Sequence, residues 1–173
     1  MSQTEATERR RVVTWDDPKA AARAGRDMAG LDYLLAMRDG RLPRPPALLL
    51  LGIETPEVEA GRIVMALHPG EHLFNPLGSV HGGMIATLLD SVMGCAVHST
   101  LPQGRGYTTL EIKVNYLRAV TDRTGTVSAE GRVTQAGRNA AFAEARLTDA
   151  AGKLYATAST TCLVFDLPGQ PPS

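Results

Sequence analysis

The stretch Asn75-Pro76-Leu77-Gly78-Ser79-Val80-His81-Gly82-Gly83 runs straight into an apolar segment that ends on one carboxylate, Asp90. Two glycines at a helix start leave backbone N–H groups with no side chains in front of them. The first N–H groups of a helix have no intrahelical acceptor and sit at the positive end of its dipole, so they suit an oxygen that is or becomes negative. Asp90, two turns further on, supplies a base. Donors for an oxyanion and a nearby base are what acyl transfer requires. Each residue also has a plainer reading. Gly82 and Gly83 can be small for packing, and Asn75 can start an ordinary Asn-Pro turn. His81 can fix the entry turn through backbone hydrogen bonds, a role that ranks ahead of proton transfer. Asp90 can pair with a cation, but no basic residue lies within one turn on its face, and this favours chemistry.

Other constellations are weaker. His68 and His72 have helical metal-ligand spacing, yet Pro69-Gly70 lies between them and forbids that helix, so both read as loop residues. Cys95 falls on the buried side of the helix, which argues against a Cys/His nucleophile. There is no G-x-S-x-G elbow, phosphate loop or dinucleotide fingerprint. Arg105, Arg118 and Arg138 fall near strand ends or turns, as solvated charges or as contacts to a phosphate.

The elements that must position these groups are legible in part. Residues 1 to about 18 read as a loose arm, and Pro18 opens a helix whose Met28, Leu31, Leu34 and Leu35 form one stripe before Asp39-Gly40 stops it. Pro43, Pro45 and Pro46 lead into Ala47-Leu48-Leu49-Leu50-Leu51, a short helix or the start of a strand. Residues 62–67 form a strand candidate. After the central helix, Thr109, Glu111, Lys113 and Asn115 alternate with Leu110, Ile112, Val114 and Tyr116, a period-two strand signal. Residues 127–134 repeat it, residues 135–139 turn into a strand over 141–147, and the turn at 149–153 leads to a last strand over 154–165. Four strands joined by short turns predict an antiparallel sheet with one main helix against it, an α+β arrangement. The inner positions Ala141, Ala143, Ala145, Ala156 and Ala158 are small enough for the helix to lie close.

On that helix Ile85, Leu88, Leu89, Val92 and Ala96 share the face that meets the sheet. The opposite face carries Gly83, Ala86, Thr87, Asp90, Gly94 and Val97, with no Lys, Glu or Arg. Small residues around one acid predict that another surface covers this side, most economically a second copy of the chain.

Composition sets the outer limits. The 173 residues suit one domain, and 18 basic against 18 acidic residues give no nucleic-acid or anionic-membrane surface. Cys95 and Cys162, both in apolar segments, fit a reduced, cytoplasmic setting. Arg9-Arg10-Arg11 is not followed by a hydrophobic signal core, and the apolar stretch broken by Asp90 is short of the roughly 20 residues a membrane span needs.

The spaced elements Asn75, His81-Gly82-Gly83 and Asp90, then Tyr107-Thr108-Thr109-Leu110-Glu111 and Asn115-Tyr116-Leu117-Arg118, resemble the hotdog-fold acyl-CoA thioesterases, with the PaaI-like branch closest. The resemblance spans about residues 51–165. It implies a hotdog domain over 46–166, preceded by an N-terminal arm and helix over 1–45 that is not inherited from the family, and followed by a disordered tail over 167–173. It implies an antiparallel sheet wrapped around the long helix and homodimers joined sheet edge to sheet edge, often as dimers of dimers. Active sites then lie at the dimer interface. The Gly83 N–H, assisted by Asn75 or His81, polarises the thioester carbonyl, and Asp90 from the other subunit activates water or attacks directly. Thr109, or its neighbour Thr108, holds the water. Gly82 and Arg138 fall to substrate binding, Arg138 as a candidate CoA phosphate contact. The substrate is an acyl-CoA, and no cofactor or metal is implied. The competing reading is a non-catalytic acyl-CoA-binding hotdog module. A hotdog hydratase fits less well, because the one histidine after Asp90 on the helix, His98, is more than 10 Å of rise away.

Overall fold

Apolar periodicity turns into packed elements in a computed structural model that describes residues 8–168. The first seven residues of the expected arm and residues 169–173 of the expected disordered tail lie outside the described residues. Three short helices come first, α1 (Pro18–Gly25), α2 (Gly30–Arg38) and α3 (Pro46–Leu51). Strands β1 (Ile53–Glu59) and β2 (Arg62–Leu67) follow, then the long helix α4 (Gly82–His98). The chain ends in β3 (Arg105–Tyr116), β4 (Val127–Ala136), β5 (Ala140–Asp149) and β6 (Leu154–Asp166).

The six strands form one antiparallel sheet in the order β1-β2-β4-β5-β6-β3. Expecting the last four strands to follow one another through short turns is therefore half right. Hairpins join β4, β5 and β6, but β3 crosses over and pairs with β6, Gly106 opposite Phe165 and Tyr116 opposite Ala156. Period-two alternation shows which face of a strand is buried and carries no information about its neighbour.

The sheet curls around α4. Leu88, Leu89, Val92, Met93 and Ala96 are fully buried against Ile63, Met65, Leu67, Val127 and Leu147. Burying each such large side chain is worth about 1.5–3 kcal/mol relative to exposure, so this seam accounts for much of the fold's cohesion. The alanines at 141, 143, 145, 156 and 158 are all buried on the inner face, as their size predicted. Gly131 of β4 comes closer still: a Cβ there would lie 2.7 Å from the Val92 carbonyl oxygen.

The N-terminal region departs from its sequence pattern. The single helix expected from Pro18 to Arg38 is two, broken between Gly25 and Gly30. The cause is tertiary. The Gly30 N–H donates to the Leu101 carbonyl at 2.9 Å, and its Cα rests on the His98 carbonyl so tightly that no Cβ fits. The leucine run, left open between helix and strand, is α3, closed by Gly52 at φ +73°, a left-handed geometry that favours glycine. No helix among the described residues is long and apolar enough to cross a membrane.

Candidate active site

The approach to α4 is a stapled loop. The Asn75 side-chain carbonyl accepts from the Leu77 N–H at 2.9 Å and the Ser79 N–H at 3.3 Å, and its amide donates to the Ser79 hydroxyl at 3.1 Å. Its backbone N–H reaches the Ser79 carbonyl, and Gly78 (φ +78°) donates back to the Asn75 carbonyl. Asn75 is thus committed to shaping the loop. The His81 N–H, bound to the Leu73 carbonyl at 2.8 Å, then fixes where the helix begins.

His81 is the N-cap. Its Nδ1 accepts from the Gly83 N–H at 2.9 Å, and its carbonyl accepts from Met84. A ring whose Nδ1 accepts carries its proton on Nε2 when neutral. The orienting role for His81 is the one its geometry displays. The same bond modifies the expectation for Gly83, whose N–H faces a ring nitrogen instead of standing open. The preceding donor, the Gly82 N–H, has no hydrogen-bond acceptor among the described residues. The Tyr116 hydroxyl donates to the Gly82 carbonyl at 2.8 Å, and its ring crosses Gly82 closely enough that a Cβ would sit 3.3 Å from it. A groove of about 300 Å³ opens here between Ser79, Gly82, Ile85, Tyr116 and Val120.

Asp90 lies half-buried on the same helix. The Thr109 hydroxyl donates to its Oδ1 at 2.9 Å, and among the described residues Asp90 makes no ion pair. The cation partner of the plainer reading is not found among the described residues. A bulge in β3 puts Thr109 there. Pairing with β6 is regular from Arg105 to Thr109 and resumes at Glu111, so Leu110 is left over and 60% exposed. Strict alternation would have placed Leu110 inward. Instead Tyr107 and Thr109 face α4 before the bulge, and Ile112 and Val114 face inward after it. Extra residues of this kind commonly re-aim a side chain beside a functional site. Thr108, on the other face, is exposed opposite Leu163.

A stapled glycine turn, an open helix start and an unpaired acid held by a threonine invite comparison with known proteins. Residues 77–156 match the family model of the Thioesterase superfamily. A phenylacetic acid degradation-related protein from Ralstonia eutropha JMP134 is 32% identical, with 76% of this chain and 98% of that one covered at a TM-score of 0.69. This chain belongs to the thioesterase superfamily. The 1,4-dihydroxy-2-naphthoyl-CoA hydrolase of Listeria monocytogenes is 27% identical over 66% of this chain and 91% of its own length. A Streptococcus mutans protein solved with acetyl-CoA is 27% identical, covering 66% of this chain and 90% of that one, with a TM-score of 0.61. The hotdog architecture and the PaaI-like resemblance agree with these relatives, and the protein is a thioester hydrolase.

Within this thioesterase the remaining candidates separate. Arg138 sits in the β4–β5 turn with its side chain exposed, and its carbonyl accepts from the Arg105 guanidinium. Arg118 donates to the Leu154 carbonyl. His68 pairs with Thr126 and His72 with Arg11, so the two histidines serve different parts of the surface. Burial, aided by the charge of Asp90, pushes the Cys95 thiol up to about 12, which keeps it protonated at neutral pH. Sequence reasoning passed over Tyr107. Its ring lies against Gly94, where a Cβ would fall 2.5 Å from the hydroxyl oxygen. Burial, with lesser contributions from Cys95, Cys162 and Asp90, pushes its phenol well above the usual range. The available signal was Gly94 itself, a glycine in mid-helix where alanine is preferred by about 1 kcal/mol.

Proposed function

We propose that this thioesterase hydrolyses acyl-CoA esters to a free acid and CoA, with Asp90 as general base or nucleophile and the start of α4 as the oxyanion site. The observation that carries this reading is an acid without a cation, held by Thr109, on the same helix as the glycine donors. The Gly82 N–H stands ready, the Gly83 N–H is released when His81 gives way to the thioester oxygen, and the His81 Nε2 proton offers a further donor. Asn75 keeps the loop that presents them, and Thr109 holds Asp90 and its water. As base, Asp90 takes a proton from water while the hydroxide adds to the carbonyl carbon. The oxyanion then collapses and expels the CoA thiolate. As nucleophile, its carboxylate adds directly, the thiolate leaves, and water cleaves the resulting anhydride. Both routes balance without a cofactor.

Helical geometry supports a site shared between two copies. Asp90 lies seven residues past Gly83, roughly 10 Å of rise, and helix N–H groups point away from it toward the N-terminus. A base must come within a hydrogen bond, or one bridging water, of the reacting atom. Donors on one helix therefore work with Asp90 of a second copy, and a two-fold dimer supplies two such sites. The exposed Leu110 on the free edge of β3 is consistent with a joined sheet edge there. CoA itself would run along that interface, with Arg138 as a candidate contact for its phosphates.

The test is thiol release from short, medium, long and aryl CoA esters, with Asp90→Asn alongside. Hydrolysis that disappears in the folded variant supports the mechanism, and full activity in that variant refutes it. Saturable binding of CoA esters with no hydrolysis of any of them would make the protein a binding module.

A further inference from the structure

One strand touches α4 at both of the groups assigned to chemistry. On β3 the Thr109 hydroxyl donates to Asp90, and at the strand's far end the Tyr116 hydroxyl donates to the Gly82 carbonyl at 2.8 Å. Thr109 and Tyr116 are seven residues apart, an odd spacing that puts them on opposite faces of a regular strand. The unpaired Leu110 shifts the phase by one and brings both to the face that meets α4. The end that carries Tyr116 is well anchored. Pairing with β6 runs unbroken from Glu111 to Tyr116, and just beyond it the Leu117 and Arg118 N–H groups both donate to the Tyr155 carbonyl, at 2.8 and 3.2 Å.

The bond to Gly82 is not needed to satisfy either partner. At a helix start the N–H groups lack acceptors, whereas the carbonyls already accept from the N–H four residues on. Tyr116 stays 51% exposed, so water could serve its hydroxyl without this contact. What sets Gly82 apart is the peptide it belongs to. Its carbonyl and the Gly83 N–H are the two ends of one planar, conjugated unit. Tyr116 grips the oxygen end, and His81 Nδ1 faces the N–H end at 2.9 Å. A hydrogen bond accepted at the oxygen draws electron density from the nitrogen and makes its N–H a stronger donor. Glycine at 82 lets the ring come this near, since a Cβ would stand 3.3 Å from it.

We propose that Tyr116 is a positioning residue for the thioesterase reaction, which aims and polarises the Gly82–Gly83 peptide so that the Gly83 N–H better stabilises the oxyanion. The inference rests on the reading of the α4 start as the oxyanion site. Hydrogen bonds to charged acceptors are the stronger ones, so the benefit grows as the carbonyl oxygen becomes an oxyanion, and it falls on kcat more than on KM. An oxyanion donor is worth about 10²–10³ in rate, and one hydrogen bond strengthens the next by about 10–30%, which together give an effect of about two- to eightfold.

The experiment compares wild type, Tyr116→Phe, and a protein with a ring-fluorinated tyrosine in place of Tyr116. Phenylalanine deletes the donor and keeps the ring, and fluorination makes a stronger donor of nearly the same size. Turnover is measured on whichever of acetyl-, hexanoyl- and benzoyl-CoA the wild type hydrolyses fastest, at mildly acidic pH where the phenols keep their protons. The Gly83 amide nitrogen resonance is followed in the same full-length proteins after selective glycine labelling. We expect kcat to rise from phenylalanine to tyrosine to fluorotyrosine with KM within about twofold, and the resonance to move in one direction along the series. A tyrosine that only packs would give equal kcat with and without fluorine. Equal kcat across the folded series, a change in KM alone, or an unmoved Gly83 resonance would each overturn the proposal. If Tyr116→Phe does not fold, wild type against fluorotyrosine still decides. Hydrolysis of none of the esters by the wild type would remove the acyl-CoA thioesterase reading, and the catalytic use of the bond with it. A flat series in an active enzyme would remove the proposal alone.

Discussion

The two halves of α4 are built from the same kinds of residue and treated in opposite ways. In the first half, Gly83, Ala86, Thr87 and Asp90 keep their outer face partly exposed, with the groove beside Gly82 in front of them. In the second half, Gly94 and Val97 are buried by the chain's own Tyr107 and α2, with the Tyr107 and Tyr33 rings packed around His98. Small residues around one acid predict a covering surface along the whole face, and a second copy as its source. For half the face the cover is intramolecular. A stripe of small side chains states that something comes close. It does not state which chain provides it.

This contrast is best broken at Asp90. Asp90→Asn should cut kcat by about 10²–10⁴-fold, the usual worth of a positioned base, with unchanged circular dichroism and melting temperature. Full activity would remove the distinction between an open, reactive half and a closed, structural one. Sharing of the site between copies is tested by mixing. Gly83→Pro removes one donor at a helix position that tolerates proline, so this variant and Asp90→Asn should each be nearly inactive. Co-expressed, they should recover about a quarter of wild-type activity, because half of randomly paired two-fold dimers contain one intact site. No recovery would place donors and base in a single chain.

Smaller effects sharpen the structural side. Gly94→Ala forces a methyl into the Tyr107 ring and should destabilise the fold by about 1–3 kcal/mol, as overpacking does. Gly83→Ala meets only the edge of the His81 ring, and its gain in helix propensity of about 1 kcal/mol should leave stability near wild type. Equal losses in urea denaturation would mean the halves do not differ in packing. Thr109→Val removes one hydrogen bond to Asp90 and should cost about 0.5–1.5 kcal/mol of stability, with a larger relative loss in kcat. The last effect concerns His98, whose Nδ1 is buried without a hydrogen-bond partner among the described residues and whose pKa is lowered by burial. An unfolded chain takes up that proton near pH 6.5 while the folded one resists it, so stability is full above this pH and declines as pH falls. Melting temperature should drop between pH 7.5 and 5.5, and the slope should flatten in His98→Phe.

Local chemistry made much of this readable in advance. Alternation located β4 and most of β3, turn residues located β5 and β6, the strand candidate over 62–67 coincides with β2, and the alanine positions correctly announced a helix lying near the sheet. The Gly-Gly turn marked where the long helix begins, at Gly82. What stayed hidden depends on contacts between distant residues. The β3 bulge cannot be seen in a strand whose sequence alternates perfectly, yet it alone decides that Thr109, and not Leu110, looks inward. Strand β1 carries Pro56 and no clear alternation, because it is an edge strand with an irregular register. The break before Gly30 exists because a carbonyl of α4 occupies the space a continuous helix would need. Asn75 belongs to the motif by spacing, but only the loop geometry shows its side chain spent on Leu77 and Ser79.

The seat of Gly30 on the His98 carbonyl also matters for how the molecule breathes. The N-terminal helices touch the rest chiefly at β1 and α4, and they precede the sheet in the chain without contributing a strand to it. Such a unit can lift away in a local opening whose free energy lies below that of global unfolding. Amide exchange in α2 and α3 should then outpace exchange in β5 and β6.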